Sequence, residues 1–379
     1  MRVLLVHNRY RIQGGEERSV ELQLEALRHA GIAHALLERR SADLSRSQAA
    51  LALLRGGRDQ NDVEAATREL DADVVHVHNM LPLPGPRGLE AARSTGASVL
   101  MQLHNLRLFC AIGVAARDGG PCFRCHHRNT LPGLALNCRG SLPEAAVYAA
   151  ALARHQPAVF EAVDRFVVPS SYAAGQSALL GVPADRLDVL SHYLPAEAFA
   201  EHSRADRGSY AFVASRLSPE KGIDVAIEAS AATGIPLRVA GEGPAAPDLA
   251  ELAEHSGAPV EFIGRLERAS VARELAGAAM LLMPSRYHEF AGYSALEAMA
   301  AGVPVIASSL GALPEILGAK RCVPPGDVAA LAARLAALYR DAAAGERALA
   351  AARARSSPDV IAHALREIYG RNFTATARF

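Results

Sequence analysis

The chain has 379 residues and a mass of 40.0 kDa, about two to three times an ordinary domain, so two packed domains are expected and a peptide module is excluded. Half the residues are apolar and 21% are charged, a globular composition outside the disordered, collagen-like and disulfide-dense classes. Forty basic residues balance forty acidic ones, which leaves no net field for non-specific nucleic-acid binding.

Apolar runs of strand length at residues 3–6, 74–77, 98–103 and 165–168 alternate with helical stretches, and a second series follows at 210–214, 237–240, 260–263, 280–283 and 303–307. That alternation predicts an α/β fold: parallel sheets covered by helices, here as two doubly wound domains. The run at 3–6 is too short for a secretory signal, and the alanine-rich run at 145–153 stops at Arg154, below membrane-spanning length, so a soluble, cytoplasmic protein is expected. Residues 191–209, with Pro195, Gly208 and mixed charge, read as a linker. The expected domains are therefore 1–204 and 205–358, followed by a helix over 359–379. Helical spacing is clear at Val20, Leu24 and Leu27, and again behind Asp327 at Val328, Leu331, Leu335 and Leu338. The last helix starts after Ser357 and Pro358, carries Ile361, Leu365 and Ile368, and is expected to stop at Gly370 and to pack back on the first domain. A ligand belongs in the cleft where the carboxyl ends of two such sheets face each other.

Chemistry is accordingly sought just after strands. Residues 215–222 hold Arg216 and Lys221 around Ser218, a candidate N-cap, and Pro219, a candidate first helical residue. Phosphate there would meet backbone N–H groups, a helix N-terminus and two cations. Lys221 and Lys320 are the only lysines among the forty basic residues, and a lone ammonium among guanidiniums suits a site that wants a point charge. After the run at 280–283 come Glu289, Ala291, Gly292, Tyr293 and Glu297. The two carboxylates could accept hydroxyls from two sugars of one ligand while Gly292 lets the backbone approach a diphosphate; alternatively Glu289 caps the helix and Glu297 pairs with an arginine. Gly241, in the G-E-G turn, admits a phosphate or a base, or is simply a turn. His76 and His78 are expected to diverge, one toward core or cleft and the other away, and not to form a metal pair.

Arg216 and Lys221 in S-R-L-S-P-E-K-G, Glu289 and Glu297 in E-x7-E, and the stretch E-A-M-A-A-G-V-P-V-I-A-S resemble the donor domain of the family 4 glycosyltransferases, retaining enzymes of the two-domain GT-B architecture. The first domain is similar in Gly14 and Gly15 of G-G-E-E, H-V-H-N at 76–79, and His104 with Asn105. The resemblance implies that Arg216 and Lys221 hold the donor diphosphate, Glu297 the nucleotide ribose, and that Glu289 faces the transferred sugar. It also implies that His104 lies beside the reaction centre and that Gly14 and Gly15 lie against donor and acceptor. Asn105, Ala291 and Ala312 depart from residues frequent in the family, which leaves the sugar open.

Five cysteines are an odd number, and four of them, Cys110, Cys122, Cys125 and Cys138, form a C-x-x-C knuckle with one flanking thiol on each side. Metal or reduced thiols fit this better than a secreted disulfide framework. The cluster resembles an insertion in a subset of the same family, and a structural zinc pinning residues 113–140 is one expectation, reduced buried thiols or a disulfide formed on handling the other. Catalysis itself is expected to need no cofactor. The expected function is transfer of a hexosyl unit from a nucleoside diphosphate sugar to a hydroxyl of a glycan, lipid-linked or small-molecule acceptor, without nucleic acid and with peripheral membrane contact if the acceptor is a lipid. An epimerase or phosphorylase of the same fold, or a non-catalytic scaffold, are the alternatives.

Overall fold

The computed structural model describes residues 1–11, 15–117 and 120–376. Both series of apolar runs become six-stranded parallel sheets. The first contains β1 (Arg2–Arg9), β2 (Ala33–Arg40), β3 (Val74–Asn79) and β4 (Ser98–Gln102). A small antiparallel pair, β5 (Ala116–Arg117) and β6 (Gly120–Pro121), precedes its last two strands, β7 (Arg165–Val168) and β8 (Leu187–Val189). The second sheet is built from β9 (Tyr210–Ala214), β10 (Leu237–Ala240), β11 (Val260–Gly264), β12 (Ala278–Met283), β13 (Val305–Ser308) and β14 (Cys322–Val323).

The strand orders are β2-β1-β3-β4-β7-β8 and β11-β10-β9-β12-β13-β14. Each order reverses direction beside its first strand, between β1 and β3 in one sheet and between β9 and β12 in the other. In a doubly wound sheet the loops leaving such a switch point diverge and open a crevice at the carboxyl ends of the strands. The fold class is thus the expected one, two Rossmann-like units. One unit comprises Met1–Ala115, Cys122–Tyr193 and Pro358–Phe379, and the other Ala116–Pro121 and Leu194–Ser357.

The central strands are buried on both faces, which is why they read as continuous apolar runs: all six residues of β3 and all five of β4 are buried. By contrast β2, an edge strand of half-exposed Ala, His, Leu, Glu and Arg, carries too weak a pattern to be read from sequence. Behind the second sheet Val213, Val239, Met280, Leu282 and Ile306 pack with Ile223, Ile227, Leu331 and Leu335 of the covering helices. Burial of one such side chain contributes about 1.5–3 kcal/mol.

Two helices run further than their sequences suggest. The last, Pro358–Thr376, continues through Gly370, because a glycine in a helix interior costs only about 1 kcal/mol relative to alanine and ends a helix when it adopts positive φ, which Gly370 does not. It is fixed one residue earlier by Tyr369, fully buried, whose hydroxyl meets Nδ1 of His76 at 2.8 Å and accepts from Nε2 of Gln23 at 3.1 Å. The helix Leu142–Ala162 likewise passes Arg154 and contains Pro157. Among the described residues, no helix is long and apolar enough to cross a membrane.

Candidate functional site

At the switch point of the second sheet, two loops meet. The loop after β9 is held by backbone bonds from Ser215 N to Ala240 O (3.1 Å) and from Leu217 N to Glu242 O (2.9 Å). Gly241 makes this approach possible: at φ +144° a Cβ would stand 1.9 Å from the Ser215 carbonyl oxygen, and one on Gly243 would stand 2.1 Å from that of Leu217. The G-E-G turn is therefore a seat for the Arg216 loop. Ser218 does not cap the following helix. Pro219–Lys221 is a short 3-10 turn, the helix starts at Ile223 behind Gly222 in the left-handed region, and the Ser218 hydroxyl donates to Glu220 Oε1 at 2.7 Å instead. Gly222 is needed where it stands, since a Cβ there would lie 2.1 Å from the carbonyl oxygen of Pro284 in the loop after β12.

Across that contact the two loops share charges. Lys221 Nζ donates to Glu289 Oε1 at 2.6 Å, and Ser285 Oγ donates to the same oxygen at 3.1 Å. Arg286 reaches back to Asp224 with two bonds of 2.6 and 2.5 Å. Glu289 is itself pinned from behind: Ala312 N donates to its carbonyl at 2.8 Å, and a Cβ on Gly311 would fall 2.3 Å from that oxygen. Lys221, Ser285, Glu289, Tyr293 and Ser294 line a depression at the carboxyl ends of β9 and β12. Gly292, at φ 57°, is the N-cap of the helix Tyr293–Ala300, so that helix starts beside the depression, and Ala291 precedes it.

The remaining residues singled out from sequence lie at varying remove. Arg216 is 68% exposed and pairs with Glu220 at 2.5 Å, outside the residues lining the depression. Burial would raise the pKa of Glu220, but the Ser218 hydroxyl, a backbone N–H and Arg216 together bring it below the usual carboxylate value. Glu297 is half-buried, one turn beyond Tyr293 on the same helix. Ser285 and Gly311 were missed; the first had only its place after a strand to mark it, and the second acts through backbone contact, which leaves no chemical signature in a sequence.

The first unit carries its own cluster at the matching ends of β1, β3 and β4. Asn79 Nδ2 donates to Asn8 O at 2.7 Å, tying β3 to β1. His76 and His78 do not diverge as expected; residues two apart on a strand share a face, both are buried, and their rings lie 4.9 Å apart. His78 Nδ1 meets His104 Nε2 at 2.9 Å. Burial holds these rings neutral: it lowers His76 to about 4 and His192 to about 3, and puts His78, His104 and His7 below the ordinary value as well. His78 and His104 line a small cavity with Tyr10, Glu16, Asn105 and Arg107. Burial lifts the Glu16 carboxyl to about 8 against the opposing effects of its Tyr10 hydrogen bond and Arg107. Its Oε2 accepts from Tyr10 OH at 3.0 Å and Asn105 Nδ2 at 3.3 Å. Gly15 opens the helix Gly15–His29, and a Cβ on it would meet nothing within 4 Å. Gly14 lies outside the described residues.

The four clustered cysteines are half-buried. Burial raises the Cys125 thiol, and Cys110, Cys138 and Cys122 are near enough to add to that. Among the described residues no group of three or more His, Cys, Asp or Glu is arranged to hold a metal ion.

Residues 208–341 match the family described as "Glycosyl transferases group 1". They contain both loops of the second switch point. A glycogen synthase of Mycobacterium tuberculosis is 34% identical over 168 residues, 41% of this chain and 40% of the relative. A GDP-mannose-dependent α-(1-6)-phosphatidylinositol dimannoside mannosyltransferase of the same species is 42% identical over 110 residues, 27% of this chain and 28% of the relative. The matched stretch thus spans well under half of each curated relative. Among solved structures, Anabaena HepE in complex with UDP superposes with a TM-score of 0.66 at 17% identity, covering 98% of this chain and 100% of that one. A sucrose-phosphate synthase from Thermosynechococcus elongatus gives 0.70 at 18% identity and 99% of both chains. At such identities the likeness is one of fold, and the fold is the two-domain GT-B architecture.

Proposed function

We propose that the chain is a retaining glycosyltransferase that moves a hexosyl unit from a nucleoside diphosphate sugar to a hydroxyl acceptor. The observation that carries this is the Lys221–Glu289 pair, seated between the two loops of a topological switch point, inside the stretch that matches group 1 glycosyl transferases.

In this reading the diphosphate displaces Glu289 from Lys221 and draws Arg216 away from Glu220, so both cations exchange a carboxylate for phosphate oxygens. The N–H groups at the start of the helix Tyr293–Ala300 add to the same electrostatic sink. The bond between the anomeric carbon and the phosphate oxygen breaks with its electron pair leaving on the diphosphate, where Lys221 and Arg216 stabilise the charge without a metal. The acceptor oxygen bonds to the same face of the anomeric carbon, and its proton passes to the departing phosphate oxygen. Glu289, freed from Lys221, accepts hydroxyls of the transferred sugar, Glu297 accepts those of the ribose, and Gly241 keeps the Arg216 loop in place. The family resemblance assigns His104 to the transferred sugar and the first unit to the acceptor.

A retaining glycosidase would use two carboxyl groups as acid and nucleophile on either side of the bond. Here Glu289 is engaged by an ammonium and Glu297 sits within a helix, an arrangement suited to holding ligand hydroxyls. Relatives and neighbours are named for GDP-mannose, UDP and UDP-glucose, so those donors are the first to test. Release of UDP from UDP-glucose, or GDP from GDP-mannose, is expected in the presence of a hydroxyl acceptor, with the product keeping the anomeric configuration of the donor. An inverted product excludes the same-face mechanism; turnover of neither these nor any other nucleotide sugar excludes the enzyme.

A further inference from the structure

The two imidazoles of His78 and His104 are joined edge to edge. Their facing nitrogens, Nδ1 of His78 and Nε2 of His104, are 2.9 Å apart, the ring centroids are 5.1 Å apart and the planes are tilted by only 27°. This is the geometry of an in-plane N–H···N bond, in which one ring donates and the other accepts. Between two neutral rings only one proton occupies that line, so its owner fixes the tautomer of both.

The surroundings differ at the two far nitrogens. Nε2 of His78 is buried and has no hydrogen-bond partner among the described residues. Were His104 the donor, His78 would have to carry its own proton on that Nε2, leaving a buried N–H with no acceptor. An unpaired buried donor costs about 1–3 kcal/mol and is rarer than an unpaired buried acceptor. Were His78 the donor, its Nε2 is a bare lone pair, and the proton of His104 sits on Nδ1. His104 itself is half-buried and lines the cavity with Glu16, Asn105 and Arg107. Burial keeps both rings neutral at ordinary pH, as this choice requires.

We infer that His78 is a positioning residue that donates from Nδ1 to His104 Nε2 and thereby holds His104 in the Nδ1–H tautomer, as a hydrogen-bond donor to a ligand oxygen and not as a base. The tautomer is a property of the ligand-free chain and stands apart from the transferase reading; its effect on turnover rests on that reading.

The test uses the full chain labelled with 15N-histidine, with imidazole two-bond 1H–15N correlations and His104→Gln for assignment. Wild-type His104 is expected to show a protonated Nδ1 and a bare Nε2. In His78→Leu that preference is expected to be lost, while His78→Asn, whose amide nitrogen can take the place of Nδ1, retains it. A wild-type His104 protonated on Nε2 overturns the proposal, as does a leucine variant with an unchanged tautomer. The wild-type spectrum is decisive alone if the leucine variant does not fold. With UDP-glucose or GDP-mannose as probe, turnover is expected to fall about tenfold in the leucine variant and to stay within about threefold in the asparagine variant. Wild-type turnover in the leucine variant, with its tautomer released, would contradict the positioning role while leaving the hydrogen bond intact.

Discussion

Lys221 donates to Glu289 at 2.6 Å with only 24% and 15% of the two side chains exposed, joining the loops that follow β9 and β12. The cation is thus neutralised by the carboxylate that the proposed transfer needs elsewhere. Removing the ammonium takes away an electrostatic stabiliser and leaves Glu289 half-paired. Lys221→Ala is expected to lower turnover of a nucleotide sugar by roughly 10²–10³-fold. Lys221→Arg should recover little, because a planar fork does not fit a space shaped around a point charge. Steady-state kinetics of both variants check this; loss confined to KM in Lys221→Ala would mean that the lysine binds without assisting bond breaking.

Gly311 lies behind Glu289 and acts only through space. With φ at +65° and a Cβ 2.3 Å from the Glu289 carbonyl oxygen and 2.5 Å from its nitrogen, alanine cannot enter without moving the Glu289 loop. Gly311→Ala is expected to cost about 1–3 kcal/mol in a urea denaturation and also to reduce activity. Gly15→Ala, with nothing within 4 Å of its new methyl group, serves as the control for stability and should stay within about 0.5 kcal/mol.

The buried histidines give the first unit an acid limit. His76 and His192 titrate near 4 and 3 in the folded chain against 6.5 unfolded, because burial disfavours the charged ring. The folded value is the lower one, so stability is full above pH 6.5. It then falls as the unfolded chain takes up protons, by about 1.4 kcal/mol per pH unit for each histidine, down to the folded values. Glu16 works in the opposite sense: raised from 4.5 to about 8, it contributes stability below pH 4.5 that is lost as pH rises toward 8. With His78, His104 and His7 also lowered, several histidines oppose one carboxyl between pH 4.5 and 6.5. The urea midpoint is expected to be lower at pH 5 than at pH 6.5; an equal or higher midpoint would contradict the assignment.

Tyr369 ties the last helix to β3 through His76 and to the helix Gly15–His29 through Gln23. Tyr369→Phe keeps the ring in the core and leaves two buried polar groups without their partner. A loss of about 1–3 kcal/mol is expected in thermal or urea unfolding. If the variant is as stable as the wild type, the hydroxyl is not holding the helix.

The sheets, their parallel order and the crevice-facing loops were legible because strands buried on both faces are largely apolar, as β9 and β12 are throughout. The charged residues of the second unit stood out for the same reason, Lys221 and Glu289 falling directly after such runs. What escaped has physical causes. Edge strand β2 is polar enough to pass for a loop. Gly370 reads as a stop signal, yet φ decides whether it is one. Ser218 has the chemistry of a cap, but Gly222 starts the helix four residues later. The polar cluster of Tyr10, Glu16, Arg107, His7 and His192 is assembled from distant segments, so no local pattern announces it.

The most direct test is calorimetric titration of the full chain with UDP-glucose and GDP-mannose, wild type beside Lys221→Ala. If the second switch point grips a diphosphate, the wild type binds at least one of these nucleotide sugars and the corresponding free nucleoside diphosphate, and the variant loses roughly tenfold or more in affinity for both. Equal affinity in the two proteins would contradict the account, since the ammonium between β9 and β12 would then have no part in holding phosphate.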